Sequence, residues 1–286
     1  MLRHVFFAWR DMLPSSRANQ SKRGLTDVEY RYERTARNYE DFASGRVLYN
    51  AQGTTSFPVR LASEIAQRCF EVLRERGNDG PYEIYDPCCG GAGMLTTIGL
   101  LHGGAVRAIY ASDADARVLG SAANNLSLLN AEGMDRRRKQ VQELYDAYGK
   151  SSHHDALLSI DRLTARLQEA KTTVRTACFQ ADATKPDEGR REPLPAGGVD
   201  LIMTDLPYGS IVQWDGGEHA ESSEQLRRFF DQAHGMLKQG NSVLAVVADK
   251  GQKLRHERFE RVQYWKIGKR HVGLFVPIPT EGGDCN

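Results

Sequence analysis

The pentapeptide Asp205-Leu206-Pro207-Tyr208-Gly209 follows an apolar run and carries the residue types needed to hold a flat, amino-bearing ring. An Asp carboxylate and a rigid backbone carbonyl of the loop can both accept hydrogen bonds from an exocyclic amino group. Tyr208 supplies a ring on which a base can stack. Pro207 restricts Leu206 and fixes the loop. An amino group conjugated to a ring is a poor nucleophile, and two hydrogen bonds to its protons favour the pyramidal, attacking form. Gln213 and Trp214 follow closely enough to line such a pocket. A Trp packed beneath the loop and a plain Asp-led turn are the structural alternatives.

Three more aspartates end apolar runs: Asp86, Asp113 and Asp182. In an open α/β sheet, ligands bind outside the carboxyl ends of the strands, so four acids at successive strand ends point to a ligand. The first is followed by a turn of small residues, Pro87-Cys88-Cys89-Gly90-Gly91-Ala92-Gly93. Such residues let a backbone approach a ligand closely and adopt positive φ. Asp113, with Ala114 beside it, comes 20 residues after Gly93, where an acid can accept both hydroxyls of a ribose. That pair would also suit NAD. However, the turn lacks G-x-G-x-x-G, and an acid with Pro precedes the glycines. Asp86 suits a ligand with a cationic amino-acid end, as in S-adenosylmethionine, better than a pyrophosphate. Asp182 can accept from the adenine amino group or be an exposed strand-end acid. The segment Phe57 to Ile65 can pack over the methionine end, with Arg60 either reaching the ligand or pairing with an acid.

The elements that must position these residues alternate. Tyr82 to Asp86 reads as a strand, Met94 to His102 as a helix stopped by Gly103-Gly104, and Val106 to Ser112 as a second strand. This is a βαβ unit. Val174 to Gln180, Val199 to Thr204 and Ser242 to Ala248 read as further strands, and Glu224 to Leu237 as a helix. Alternation of this kind implies a parallel sheet covered on both faces. Arg261 to Ile267 and His271 to Pro277, separated by Gly268-Lys269-Arg270, read as a hairpin. The fold class is therefore α/β and Rossmann-like: a mostly parallel seven-stranded sheet closed by an antiparallel C-terminal hairpin, the class I methyltransferase arrangement. Residues 131–173 read as an inserted pair of amphipathic helices, with Leu144, Leu157, Leu158, Leu163 and Leu167 as the apolar positions. Residues 10–50 are polar and irregular, and the first 25 read as disordered or folding on binding.

The chain has 286 residues, 40% hydrophobic and 26% charged, an ordinary globular composition. No apolar run is long enough to span a bilayer. Five cysteines without a C-x-x-C pair support neither a metal site nor a disulfide framework, so a reducing cytoplasm is expected. Cys88 and Cys89 are not placed for cysteine-dependent C5 methylation of pyrimidines, because no cysteine lies in the Asp205 loop. Net charge is only +1, but Lys250 to His271 holds eight Lys or Arg against two acids. That stretch suits a phosphate backbone, or else a solvated surface helix and hairpin.

These residues resemble the AviRa-type 23S rRNA methyltransferases. The likeness runs through Val47-Leu48 and Phe57-Pro58-Val59-Arg60-Leu61-Ala62. It is sharpest at Asp86-Pro87-Cys88-Cys89-Gly90 with Leu100-Leu101-His102. It continues at Ala111-Ser112-Asp113, Asn124-Asn125-Leu126 and Thr204 to Gly209, and ends at Lys266 to Arg270. Where that family's turn runs Gly-x-Gly, this chain has Gly90-Gly91-Ala92 and then Gly93. The likeness covers roughly residues 45–277 and leaves the first 44 unmatched; the chain reads as an N-terminal arm and helical extension over residues 1–80, then a methyltransferase domain over 81–286 with the insert at 131–173. The resemblance implies S-adenosylmethionine as cofactor, held by Arg60, Asp86, Cys88, Gly90, Gly91, Asp113, Ala114, Asp182 and Asp205, and no metal. Asp205, Leu206, Pro207 and Tyr208 would act on the base. The substrate would be a guanine of 23S rRNA, naked or in the large subunit, and the phenotype orthosomycin resistance. The alternatives are an amino-group methyltransferase for another RNA, DNA or protein, and a non-catalytic RNA-binding relative.

Overall fold

A computed structural model describes residues 30–50, 56–170, 173–186, 193–206 and 219–279. Helix α1 (Val59–Glu75) precedes strand β1 (Tyr82–Asp86), helix α2 (Gly93–His102), β2 (Val106–Asp113) and α3 (Ala116–Ser127). Then come α4 (Ala131–Tyr148), α5 (Ser151–Ala170), β3 (Arg175–Gln180), β4 (Leu201–Asp205), α6 (His219–Met236) and β5 (Val243–Asp249). Strands β6 (Phe259–Ile267) and β7 (Arg270–Pro277) are the last elements among the described residues. The strands form one seven-stranded sheet in the order β3-β2-β1-β4-β5-β7-β6. All neighbours are parallel except β5 with β7 and β7 with β6. The strand order reverses between β1 and β4, which places a crevice at their carboxyl ends.

Strand alternation divides the core in two. Ile84, Ile109, Ala111, Met203, Val247 and Val272 face the side covered by α1, α2, α3 and the insert. Tyr85, Ala108, Tyr110, Ile202, Val246 and Phe275 face α6, whose Phe229, Phe230 and Ala233 pack against them. The same alternation puts Asp86, Asp113 and Asp205, two residues beyond Ile84, Ala111 and Met203, on the first face. Arg270, two residues before Val272, belongs there too.

Several boundaries differ from the sequence reading. Val199 makes only an isolated bridge with Leu237, and β4 starts at Leu201. The insert is a helical pair, but Leu144 (42% exposed) and Leu158 (43%) lie on its outer side rather than in its core. Leu157 and Leu163 are buried and Leu167 packs at the core's margin, so the apolar stripe is narrower than the leucine pattern suggests. The basic stretch contains no helix; residues 250–258 are turn and loop leading into β6. The reading of residues 1–25 lies outside the described residues.

The segment before α1 is fastened by Glu64, which is fully buried. Its carboxylate accepts backbone N–H bonds from Arg31 (2.7 Å), Tyr32 (2.9 Å) and Glu33 (2.9 Å), and one from Arg68 Nε (2.7 Å). Arg68 in turn lies 4.3 Å over the Trp265 ring of β6. Burial pushes the Glu64 carboxyl up, but the backbone donors of Glu33 and Arg31 and the Arg68 side chain outweigh it and hold it below the ordinary value. A lowered folded-state value contributes stability that is present above the unfolded value near ~4.3 and is lost as pH falls through the folded one. Glu64→Gln is expected to lose about 3–5 kcal/mol, the cost of breaking a buried pair. It should also flatten the acid limb of the stability curve. Urea denaturation at several pH values measures both.

Candidate active site

The turn after β1 is built from its own polar contacts. Asp86 is 2% exposed and accepts from the Cys88 backbone N–H (3.0 Å). Cys89 N–H donates to Ser112 O on β2 (2.9 Å), and Gly90 N–H to Asp113 Oδ2 (2.9 Å). The turn then passes through two left-handed residues, Gly90 (φ 51°) and Ala92 (φ 54°). For Ala that region costs roughly 1–2 kcal/mol. Ala92 holds it because its carbonyl accepts from Thr96 N–H (3.0 Å) and Oγ1 (2.9 Å), and its own N–H bonds Cys89 O (2.7 Å). The departure from Gly-x-Gly is thus absorbed as local strain.

Asp113 uses Oδ2 on Gly90 and Oδ1 on Asp115 N–H (2.9 Å). Each carboxylate oxygen has a second lone-pair site, so a pair of ribose hydroxyls can still be accepted. Asp182 is occupied by Thr184 N–H (2.9 Å), Thr184 Oγ1 (2.7 Å) and Lys185 Nζ (2.9 Å). Burial raises its carboxyl, but the Thr184 and Lys185 contacts prevail and lower it, so it is ionised and able to accept a further bond. Ala114 offers its carbonyl to Gln180 Nε2 (3.0 Å).

Asp205 ends β4, and Arg270 Nη2 lies 3.8 Å from its Oδ2. The Leu206 side chain is fully buried, and its N–H bonds Val247 O (2.9 Å), which carries the β4–β5 ladder one residue past Asp205. Leu206 therefore anchors the acid while its side chain sits in the core. Pro207, Tyr208, Gln213 and Trp214 lie outside the described residues. The Cys88 thiol is pushed well up by burial and by Asp86 and Asp113, and it packs beside the α6-side core, so it shapes the turn as a neutral thiol.

Electrostatically this edge is crowded. Burial, with smaller contributions from Asp113 and Asp205, pushes the Asp86 carboxyl up to about 7, against the Thr204 hydroxyl and Cys88 N–H, which lower it. A carboxylate in that position is relieved by a cation. The donor set therefore fits S-adenosylmethionine: acids for its ammonium and ribose, and small residues where its backbone-facing surface would lie. Among the described residues no cluster of His, Cys, Asp and Glu has the arrangement of a metal site. No helix there is long and apolar enough to cross a membrane.

The structure gathers Asp86, Gly90, Gly91, Asp113 and Asp205 at one end of one face, with Cys88 in the same turn but packed towards the α6 side, and Asp182 and Ala114 along the β2–β3 side. It does not bring Arg60 to them. That guanidinium donates to Glu33 O (2.6 Å) and Arg34 O (3.2 Å) and lies 3.9 Å over the Tyr30 ring, so it fastens the N-terminal segment through carbonyls rather than an acid. Two residues take roles that the sequence reading did not give them. Buried Asn125 on α3 donates to Gly91 O (2.7 Å) and Tyr49 O (2.9 Å) and accepts from Tyr49 N–H (2.7 Å), so it ties the glycine turn to the N-terminal segment. Its position seven residues after Val118 and three after Ala122, on the buried stripe, was the available signal. Arg270 is the other.

The family model described as rRNA methyltransferase AviRa matches residues 28–270. The chain is 35% identical over 245 residues to the 23S rRNA (guanine(2535)-N(1))-methyltransferase of Streptomyces viridochromogenes, covering 86% of this chain and 94% of that protein. Two solved structures of the rRNA methyltransferase AviRa from that organism superpose with a TM-score of 0.74, at 34% and 33% identity, each covering 86% of this chain and 95% of the other.

If a cationic ligand end meets Asp86, binding must favour the ionised acid. The affinity for S-adenosylhomocysteine, which keeps the ammonium, should then rise with pH towards and through about 7. The limit is about tenfold per pH unit for one linked proton. Asp86→Asn should bind more weakly and lose this slope. Isothermal titration between pH 6 and 8 checks it, and a wild-type affinity independent of pH would remove Asp86 from the ligand.

Proposed function

This chain belongs to the AviRa family of rRNA methyltransferases, and from that premise we propose that it transfers a methyl group from S-adenosylmethionine to N1 of a guanine in 23S rRNA. The carrying observation is the convergence of Asp86, Asp113 and Asp205 on one face at the carboxyl edge, beside the switch in strand order. Asp113 takes the ribose hydroxyls, Asp86 the methionine ammonium, and Asp182 the adenine amino group. The turn from Cys88 to Gly91 gives backbone contact. The cofactor supplies an electrophilic methyl on a sulfonium and leaves as the neutral thioether.

The chain's own work is on the base. The relative's name specifies ring nitrogen N1. For that atom the Asp205 carboxylate has a different task from gripping an exocyclic amino group alone: it accepts the N1–H bond and takes the proton, with the neighbouring 2-amino group as second donor. Tyr208 stacks on the base and Pro207 fixes the loop. The basic stretch from Lys250 to Arg270 runs from the end of β5 through β6 to the same edge, where it can take the RNA backbone. Action on ribosomal RNA implies the cytoplasm, and resistance to orthosomycins such as avilamycin is the expected phenotype.

The test is incubation with labelled cofactor and separate unmodified 16S and 23S rRNA, with the product located by reverse-transcription arrest and nucleoside mass spectrometry. Label in 23S rRNA alone, recovered as 1-methylguanosine, is the expected result. Asp205→Ala should lose turnover while holding S-adenosylhomocysteine within a few-fold. Recovery of 2-methylguanosine, methylated protein, or normal turnover by the variant would contradict the reading.

A further inference from the structure

The β6–β7 hairpin brings a cation to the acid that ends β4. Asp205 pairs with Val247 of β5, and Val247 pairs with Val272 of β7. Since β7 runs antiparallel to β5, its first residue, Arg270, rises beyond that row at the carboxyl edge and pairs with Asp249. The strand alternation sends Arg270 to the same face as Asp205. Its guanidinium is 22% exposed and faces the Asp205 carboxylate at 3.8 Å, a separation at which the charges attract without a direct hydrogen bond. The Phe57 ring lies 5.5 Å from the guanidinium carbon. The tip is held by Lys250 N–H on Lys269 O (3.2 Å).

A carboxylate beside a guanidinium complements one base edge in particular. The Watson–Crick edge of guanine carries two adjacent donors, N1–H and the 2-amino group, followed by the acceptor O6. Arg is the common partner of guanine O6 in protein–nucleic acid contacts. We propose that Arg270 donates to O6 of the target guanine while Asp205 takes N1–H, so that the two side chains together select guanine and activate its N1. This rests on the N1 reading above. As N1–H breaks, its proton passes to the Asp205 carboxylate. The electron pair stays on the base, shared between N1 and O6. N1 then bonds the methyl carbon as the S–CH3 bond of S-adenosylmethionine breaks and the sulfonium becomes a thioether. Negative charge builds on O6 before the methyl arrives, and a guanidinium placed there stabilises it as an oxyanion-hole donor does. Adenine presents an amino group where guanine has O6 and an unprotonated N1, so it meets the pair with both polarities reversed.

The test is single-turnover methylation of an unmodified 23S rRNA transcript by wild type, Arg270→Ala and Arg270→Lys from pH 6.5 to 9.5. Affinity for S-adenosylhomocysteine, thermal midpoint and the methylated atom are measured alongside. Without the guanidinium, N1 loses its proton less readily. Arg270→Ala should therefore fall by about 10²-fold near neutrality and recover as pH rises, its profile displaced to the alkaline side. Arg270→Lys, which keeps the charge but not the fork, should lie between. Cofactor affinity should stay within a few-fold. A rate lowered equally at every pH, or an unchanged rate, with the methyl still on N1, would overturn the role of Arg270 and leave the proposed function standing. A methyl on any other atom in the wild-type product would overturn both.

Discussion

The buried Asp86 carboxyl at the carboxyl edge of this sheet is held well above its ordinary range, chiefly by loss of water and in smaller part by Asp113 and Asp205, and the rest of the site is arranged around it. Asp86 sits deepest, and its carboxyl is pushed up by burial and then by Asp113 and Asp205. Such a cluster is costly in an empty protein and favourable around a cation. Strand alternation creates it without special geometry, because the acids stand two residues beyond core positions that face the same helices. The fold thereby turns a hydrophobic pattern into a charge pattern, and the single cation with a described ion pair to Asp205 arrives from the hairpin.

Keeping the carboxylates in place takes contacts that cross long stretches of chain. Asn125 connects the glycine turn with Tyr49, and Glu64 draws residues 31–33 onto α1. Each is a buried polar group with all of its described partners on backbone or a paired side chain, so loss of one leaves several groups unsatisfied at once. The strained Ala92 survives for the same reason: its two polar groups are both engaged inside the turn and first helical turn. The N-terminal segment is thereby part of the site's support, and Phe57 carries that support to Arg270.

What could be read from the residues follows the range of the contacts. The strand-end acids, the glycine turn and the closing hairpin are local patterns of period two broken by small or polar residues, and they stand where the spacing predicts. Asn125 and Arg270 act through partners 76 and 65 residues away, so a local window can put Asn125 on the buried stripe of its helix but shows neither residue's partner. Arg60 lies within the span that the family model matches, yet its guanidinium is taken by carbonyls of the N-terminal segment. Leu144 and Leu158 look like core leucines by composition, but the helical pair turns them outward. Leu206 reads as part of the reactive loop, and it is also the buried residue that extends the β4–β5 pairing beyond Asp205.

Burial and neighbouring acids hold the Asp86 carboxyl above its ordinary range, a strain that a cationic ligand end would relieve. The most direct measurement is an NMR titration of the carboxyl carbons in protein labelled at aspartate Cγ, assigned with Asp86→Asn, with and without S-adenosylhomocysteine. The account predicts an Asp86 carboxyl that titrates near 7 in the free protein and moves to markedly lower pH when the ligand is bound. An Asp86 resonance that titrates in the ordinary range near ~4 in the free protein, or one that the ligand leaves unmoved, would contradict it.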